Sequence, residues 1–410
     1  MTENEKSGHP ALTPRAEITA YTTAFFSIGM LPMFHVIGPL WALRIGADPF
    51  TIGVAMGSRS ALPFLFSIHS GALLDRLGVR RVMTVCALTS AVLTLLYPAL
   101  PFIAALIALQ VVTGFLHTIG WIGSQTQISQ LTRGHPKYMG RFVSVSTFSN
   151  FLTPPLAGLV WDVGGEWSAF GLLSAWNLAL WLSVSLMPVP DSVTVPTERP
   201  RLRALLPSPA DYRDALRMVL APAVGFVVAC SFMMNSIISM RFAFLPVYMK
   251  EVGFEGTIIG LIVGFAFLVG GITALPTGFL RRFIPPQWIV LAMIVVAALG
   301  VGSVPLFRDV VGLTVATCIF GAGVGLGMAF VLSLLSTVVP TGQLGLSIGL
   351  RTTANRFSSF AIPIFAGAVI QFAGLAAGFY VTAAAIVACA ALAAVFALRN
   401  PSIKRAFAAD

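Results

Sequence analysis

The sequence predicts an all-α integral membrane protein with twelve transmembrane helices arranged as two six-helix bundles. Three observations predict it. The chain of 410 residues is 57% hydrophobic and 10% charged, whereas about a quarter charged residues is usual for a soluble globular domain. Twelve apolar runs, each near the roughly 20 residues that one crossing requires, are separated by polar turns. With the N-terminus taken as cytosolic, eighteen of the 25 lysines and arginines fall on that side, and only Arg44, Lys250 and Arg308 fall in turns on the other, as the positive-inside rule requires. The net charge of +10 therefore serves orientation in a bilayer and forms no patch suited to nucleic acid.

Residues 1–17 are polar, hold Pro10 and Pro14, and read as a cytosolic tail with no signal peptide ahead of the first run. The N-terminal bundle, 18–187, draws its spans from 18–43, 50–74, 82–100, 102–127, 142–163 and 167–187. Residues 188–217, rich in Pro, Arg, Asp and Ser, are the one long polar linker. The C-terminal bundle, 218–398, uses 218–249, 257–280, 288–307, 310–339, 344–372 and 374–398, and a cytosolic tail, 399–410, follows. This describes a multi-pass protein of the cytoplasmic (inner) membrane with both termini cytosolic. The halves also repeat one another. At an offset of 207, Pro39 meets Pro246, Ile52-Gly53 meets Ile259-Gly260 and Gly71 meets Gly278; at 209, Pro154 meets Pro363 and Ala157-Gly158 meets Ala366-Gly367. A collinear repeat of this kind is expected of two bundles related by an axis along the membrane normal.

The turn at 71–81 reads G-A-L-L-D-R-L-G-V-R-R and sets Asp75, Arg76, Arg80 and Arg81 between Gly71 and two long apolar runs. Its glycines, Gly71 and Gly78, permit close approach of helices. Its arginines suit an anionic leaflet, and Asp75 is free to pair or to cap a helix in one of two conformations. In Gly71, Leu73, Asp75, Arg76, Gly78, Arg80 and Arg81 the turn resembles the loop between helices two and three of the major facilitator superfamily (MFS), roughly G-x-L-x-D-R-x-G-R-K/R-x. The resemblance extends over essentially 18–398 and implies a transporter whose two bundles rock about a midplane site. It further implies that helices three, six, nine and twelve face lipid, and that the loop is a latch closing the cytoplasmic side. The second copy, T-G-F-L-R-R-F, has Arg282 where the first has Asp75, so the latch is expected in one half only.

Ionisable groups inside a membrane are costly and mark function by default. Here they are Arg59, Arg241, Arg351 and Arg356, and no carboxylate accompanies them, because all fifteen acids lie in loops, linker, termini or helix ends. A net positive cavity implies an anionic substrate. The alternative is that Arg351 snorkels to the interface while Arg59 and Arg241 bond to backbone near Pro63 and Pro246. At about 100° per residue, Gln110, Gly114, His117, Trp121 and Ser124 form one stripe on the fourth span, Ser146, Asn150 and Thr153 one on the fifth, and Thr352, Arg356, Ser359 and Pro363 one on the eleventh. The substrate-binding candidates are thus Arg59, Gln110, His117, Trp121, Asn150, Arg241 and Arg356. Arg241 points away from the seventh-span stripe of Ser231, Asn235 and Ser239 unless Pro246 distorts the helix. Polar stripes serve equally as glue between helices.

Proton-driven drug exporters of the superfamily carry R-x-x-x-G in the fourth span, and this chain has Q-V-V-T-G, with Gln110 in the arginine's place. Their fifth-span G-P-x-x-G is represented by a helix-packing motif, Pro154-Pro155-Leu156-Ala157-Gly158, which keeps the proline and the later glycine. The first departure leans away from proton-driven export and the second towards it. Protonatable candidates are His35, His69 and His117, and the stripe favours His117 as the proton-coupling group. Cys86, Cys230, Cys318 and Cys389 have neither disulfide-framework nor zinc spacing and are expected in the core. Gly321-Ala-Gly323-Val-Gly325-Leu-Gly327 lies within an apolar run and suits helix packing better than a nucleotide. With no catalytic constellation, no enzyme activity, metal or cofactor is expected.

The sequence is read as a secondary active transporter moving a small organic anion across the cytoplasmic membrane. Its partners are that solute, the lipid bilayer and, as a coupling ion, protons; nucleic acid is not among them, and a monomer is expected. Two alternatives stand beside it: a proton-coupled multidrug exporter, whose cavity should be acidic, and a non-transporting receptor or assembly factor on the same scaffold.

Overall fold

The computed structural model describes residues 13–66, 74, 77–132, 135–187, 220–338 and 344–407, and all regular structure among them is helical. The first half contains α1 (Pro14–Arg44), α2 (Pro49–Ser58), α3 (Ala61–Phe66), α4 (Val79–Ala99), α5 (Ile103–Thr132) and α6 (Pro136–Leu186). The second contains α7 (Pro222–Val252), α8 (Gly256–Thr273), α9 (Thr277–Leu280), α10 (Pro286–Gly302), α11 (Val310–Val338), α12 (Leu344–Ala373), α13 (Leu375–Arg399) and the short α14 (Pro401–Ala406). Among the described residues, ten helices are long and apolar enough to cross a membrane.

Local chemistry explains how these make twelve passes. α6 runs for 51 residues but leaves helical geometry at Gly165, with φ 68° and ψ −164°, a conformation open to glycine alone. Its two arms are the fifth and sixth passes. The second pass is the pair α2 and α3, interrupted at Arg59 and Ser60. Pro63 has no N–H to offer the Arg59 carbonyl four residues back, and Ser60 N bonds to Gly57 O instead, at 2.9 Å. Several starts carry a cap. The Thr13 hydroxyl accepts from Ala16 N at α1, and Asp48 accepts from Thr51 N at 2.7 Å at α2, each ahead of a proline in the first turn, where a missing N–H costs nothing.

Two seams join the halves at the end remote from the basic turns. In one, the first arm of α6 meets α8: a Cβ on Gly158 would lie 1.9 Å from the Gly256 carbonyl oxygen. In the other, α2 meets α12: a Cβ on Gly53 would lie 2.2 Å from the Pro363 carbonyl oxygen. Backbones therefore touch directly, which is the packing that small residues permit, and Pro154, Pro155 and Gly158 lie in the first seam. The glycine run of α11 also packs: a Cβ on Gly325 would sit 2.0 Å from the Gly270 carbonyl oxygen of α8. In the first half Tyr97 stacks on Phe170, with centroids 4.9 Å apart, and its hydroxyl shares a hydrogen bond with Thr113 at 2.9 Å. Large apolar side chains on α4 and α13, such as Val92 and Leu392, are exposed, consistent with lipid-facing third and twelfth passes.

Some sequence expectations are corrected. Cys86 and Cys230 are buried, but Cys389 is exposed on the outward face of α13, so the four cysteines are not all core residues. Among the latch residues, Gly71, Asp75 and Arg76 lie outside the described residues, as do His69 and the linker. Gly78, with φ 82°, precedes α4; Arg80 donates to the Ser185 carbonyl at the end of α6, and Arg81 is exposed. At the same end Arg141 pairs with Glu17, tying α6 to α1.

Candidate functional site

A cavity of about 330 Å³ lies between the halves, lined from α1, α2, α5, the first arm of α6, α7, α8 and α12, within the range of small-molecule sites. Among the described residues, its lining contains no aspartate or glutamate. Five of the seven substrate-binding candidates line it: Arg59, His117, Trp121, Asn150 and Arg356.

Arg59 is held by the break that positions it. Its Nη1 donates to Gln110 Oε1 at 3.1 Å, its Nη2 contacts His117 Nδ1, and its guanidinium lies over the Phe34 ring, 4.4 Å from the centroid. α5 comes this close because it has no side chain at Gly114, where a Cβ would lie 2.1 Å from the Arg59 carbonyl oxygen. Each hydrogen bond to a charged group contributes about 1.5–3 kcal/mol, set against a desolvation penalty of several kcal/mol for the ion. Arg59 thus bonds to side chains of α5 and not to the backbone near Pro63. Since a guanidinium only donates, His117 accepts through Nδ1 and carries its proton on Nε2. That nitrogen is buried and without a partner among the described residues.

Arg356 enters from the opposite half, on α12, beside Ser359 and Pro363. It has no acidic partner among the described residues; the ion pairs found, Arg44 with Glu166 at 3.8 Å and Arg141 with Glu17, lie at the bundle ends. One cation from each half therefore lines a space that, among the described residues, holds no counter-charge. Aromatic rings line the rest. His35 stacks on Phe242 across the interface, centroids 3.8 Å apart at 13°, and Phe242 stacks on Phe267 at 5.6 Å.

Two candidates lie elsewhere. Gln110 is fully buried and does not line the cavity; it acts behind the wall, as the acceptor for Arg59. Arg241 is 1% exposed and packs on Phe320, 4.5 Å from the centroid, with all three guanidinium nitrogens unpartnered among the described residues. α7 continues in helix through Pro246, so the rotation that would turn Arg241 inward is absent. Arg351 likewise does not line the cavity. The seventh-span stripe proves to be largely glue. Asn235 Nδ2 donates to Asn355 O at 2.7 Å and Ser359 Oγ at 2.8 Å, and Ser231 Oγ donates to Asn355 Oδ1 at 2.9 Å, knitting α7 to α12, although Asn235 and Ser239 also touch the cavity. Sequence reasoning missed the aromatic wall of Phe34, Phe242 and Phe267. The helical spacing of Ser27, Leu31 and Phe34 on α1 is the signal that marks part of it.

A family model described as Major Facilitator Superfamily matches residues 18–363. No match was found among curated proteins. Among solved structures, the chain resembles a point mutant of the nucleoside transporter NupG, with a TM-score of 0.79 at 12% identity, covering 93% of this chain and 99% of that one. It also resembles the structure titled nucleoside transporter NupG, with a TM-score of 0.76 at 13% identity, covering 94% and 99%. At these identities the likeness carries the fold and leaves the ligand to the chemistry of the cavity.

Proposed function

The chain belongs to the major facilitator superfamily, and from that premise we propose that it is a secondary transporter moving a small organic anion across the cytoplasmic membrane by alternating access. The observation that carries this reading is the pair Arg59 and Arg356, one from each half, lining one cavity that has no acid among its described residues. Two desolvated cations repel one another and each carries a desolvation penalty, which a bound carboxylate or phosphate would offset while bridging the two bundles. Arg59 is preset by Gln110 and His117. Arg356 is free to close on the ligand, and Trp121 and Asn150 shape the pocket. Touching backbones shut the outer seams, whereas Trp121, nearer the basic end of α5, is 39% exposed while lining the cavity; this supports an inward-facing state. His117 as a proton carrier would first have to give up its contact with Arg59, which makes a coupling role secondary to ligand binding.

A second reading, a nucleoside-like cargo, is favoured by the resemblance to nucleoside transporters and by the aromatic and amide groups Phe34, Trp121, Asn150 and Asn235 among the cavity's lining residues. Uptake by proteoliposomes of labelled organic carboxylates, phosphorylated compounds, nucleosides and lipophilic cations separates the readings. Saturable anion flux that disappears in Arg356→Ala is expected. Flux of nucleosides or cations alone, unchanged by Arg356→Ala, overturns the anion reading, and no flux of any class favours a receptor on this scaffold.

A further inference from the structure

At the outer end of the first seam, Asp162 on the first arm of α6 reaches across to the other half. Its Oδ1 accepts from Gly256 N at 2.8 Å, and its Oδ2 accepts from Thr257 N and Thr257 Oγ1, both at 2.7 Å. These are the first N–H groups of α8, which helical bonding leaves unpaired. Glu255, the residue in the N-cap position of α8, makes no side-chain cap bond. The cap of α8 is therefore supplied in trans.

The internal repeat adds a second, independent observation. At the offset of 209 that pairs Pro154 with Pro363, Asp162 corresponds to Gln371; at the offset of 207 that pairs Ile52 with Ile259, Thr257 corresponds to Phe50. Phe50 N donates to Gln371 Oε1 at 3.5 Å. The same contact thus occurs twice, related by the pseudo-symmetry, with the fifth helix of each half capping the second helix of the other. One copy is an ionised acceptor with three short bonds on a positive helix end. The other is a neutral amide at the limit of bonding distance.

We propose that Asp162 and Gln371 are matched trans N-caps that hold the outer gate shut, with Asp162 the dominant latch. Separating the seams to open the outer side strips α8 of its cap and strands its first N–H groups, so outer opening is opposed by a cap lost. α2 keeps its own cap from Asp48 through Thr51 N and depends less on Gln371. This inference concerns the gate and is independent of the charge of the cargo.

The test is a pulsed electron paramagnetic resonance distance in nanodiscs between spin labels at Val163 and Leu306, both exposed at the outer end of opposite halves, in a background with the four native cysteines replaced. The original residue pair should give one short distance. Asp162→Ala should raise the ratio of open to closed populations roughly two- to thirtyfold, the range spanned by loss of a helix N-cap, and adding Gln371→Glu to it should return part of the closed population. Asp162→Asn, which keeps the volume and one acceptor, should shift the ratio less, and it decides the matter if the alanine variant does not fold. An unchanged distribution in the folded Asp162 variants overturns the proposal, as does an open shift that Gln371→Glu leaves untouched.

Discussion

Gln110→Glu isolates the electrostatics of the cavity with almost no change of shape. Gln110 is fully buried, and its Oε1 is the acceptor for Arg59 Nη1 at 3.1 Å. The substitution keeps that acceptor while turning a neutral partner into a carboxylate, so Arg59 stays in place and loses its net charge to a buried ion pair. A ligand anion in contact with the guanidinium would lie roughly 7 Å from the new charge. At an effective dielectric constant of about 20 the repulsion over that distance is about 2.4 kcal/mol, which is roughly a 50-fold loss of affinity. Equilibrium binding of a labelled anion to the purified variant measures it, with the melting temperature as a check that the fold is kept. An affinity within about twofold of the unsubstituted protein, at an unchanged melting temperature, would refute the argument that Arg59 supplies the binding charge.

Two contacts around the site give further tests. In Gly114→Ala the new Cβ would sit 2.1 Å from the Arg59 carbonyl oxygen and 2.6 Å from its Cγ; because backbone cannot yield, chemical denaturation should show a loss of about 1–3 kcal/mol, and no loss would sink the close approach of α2 and α5. Arg241 bears a penalty of several kcal/mol for an unpaired buried ion, offset by about 2 kcal/mol from the Phe320 ring, so Arg241→Met should keep or raise the melting temperature and leave anion binding unchanged. A variant that melts several degrees lower, or loses binding, would contradict its exclusion from the site.

The bilayer made most of the fold legible in the sequence. Span length, the distribution of arginines and the turn at 71–81 each report a solvent boundary, and so the twelve passes and the two halves could be read directly. The same physics singled out Arg59 and Arg356, which line the cavity, and equally Arg241 and Arg351, which do not, since an ion in an apolar helix is conspicuous wherever it points. Direction was harder. Whether a buried polar group faces the cavity or a neighbouring helix depends on rotation about the helix axis, which a stripe alone does not fix. Hence Asn235 bonds mainly across to α12, Arg241 lies beneath Phe320, and Gln110 stands one layer behind the wall. The break at Pro63 could be read, but its consequence, Arg59 delivered to α5, requires knowing that Gly114 lies opposite. Of the aromatic wall only Phe34 has a signal, its helical spacing from Ser27 and Leu31; Phe242 and Phe267 carry none in a chain with 31 phenylalanines, because apolar residues look alike whether they face lipid, core or cavity.

The most direct measurement of the central claim is thermal stabilisation of the purified protein by organic anions, nucleosides and lipophilic cations, compared with the Arg356→Ala variant. A ligand at 100 times its dissociation constant stabilises by about 2.7 kcal/mol. Stabilisation by an anion that vanishes in Arg356→Ala, with the variant melting normally on its own, is the predicted result; stabilisation by nucleosides or cations alone, equal in both proteins, would contradict an anion-binding cavity.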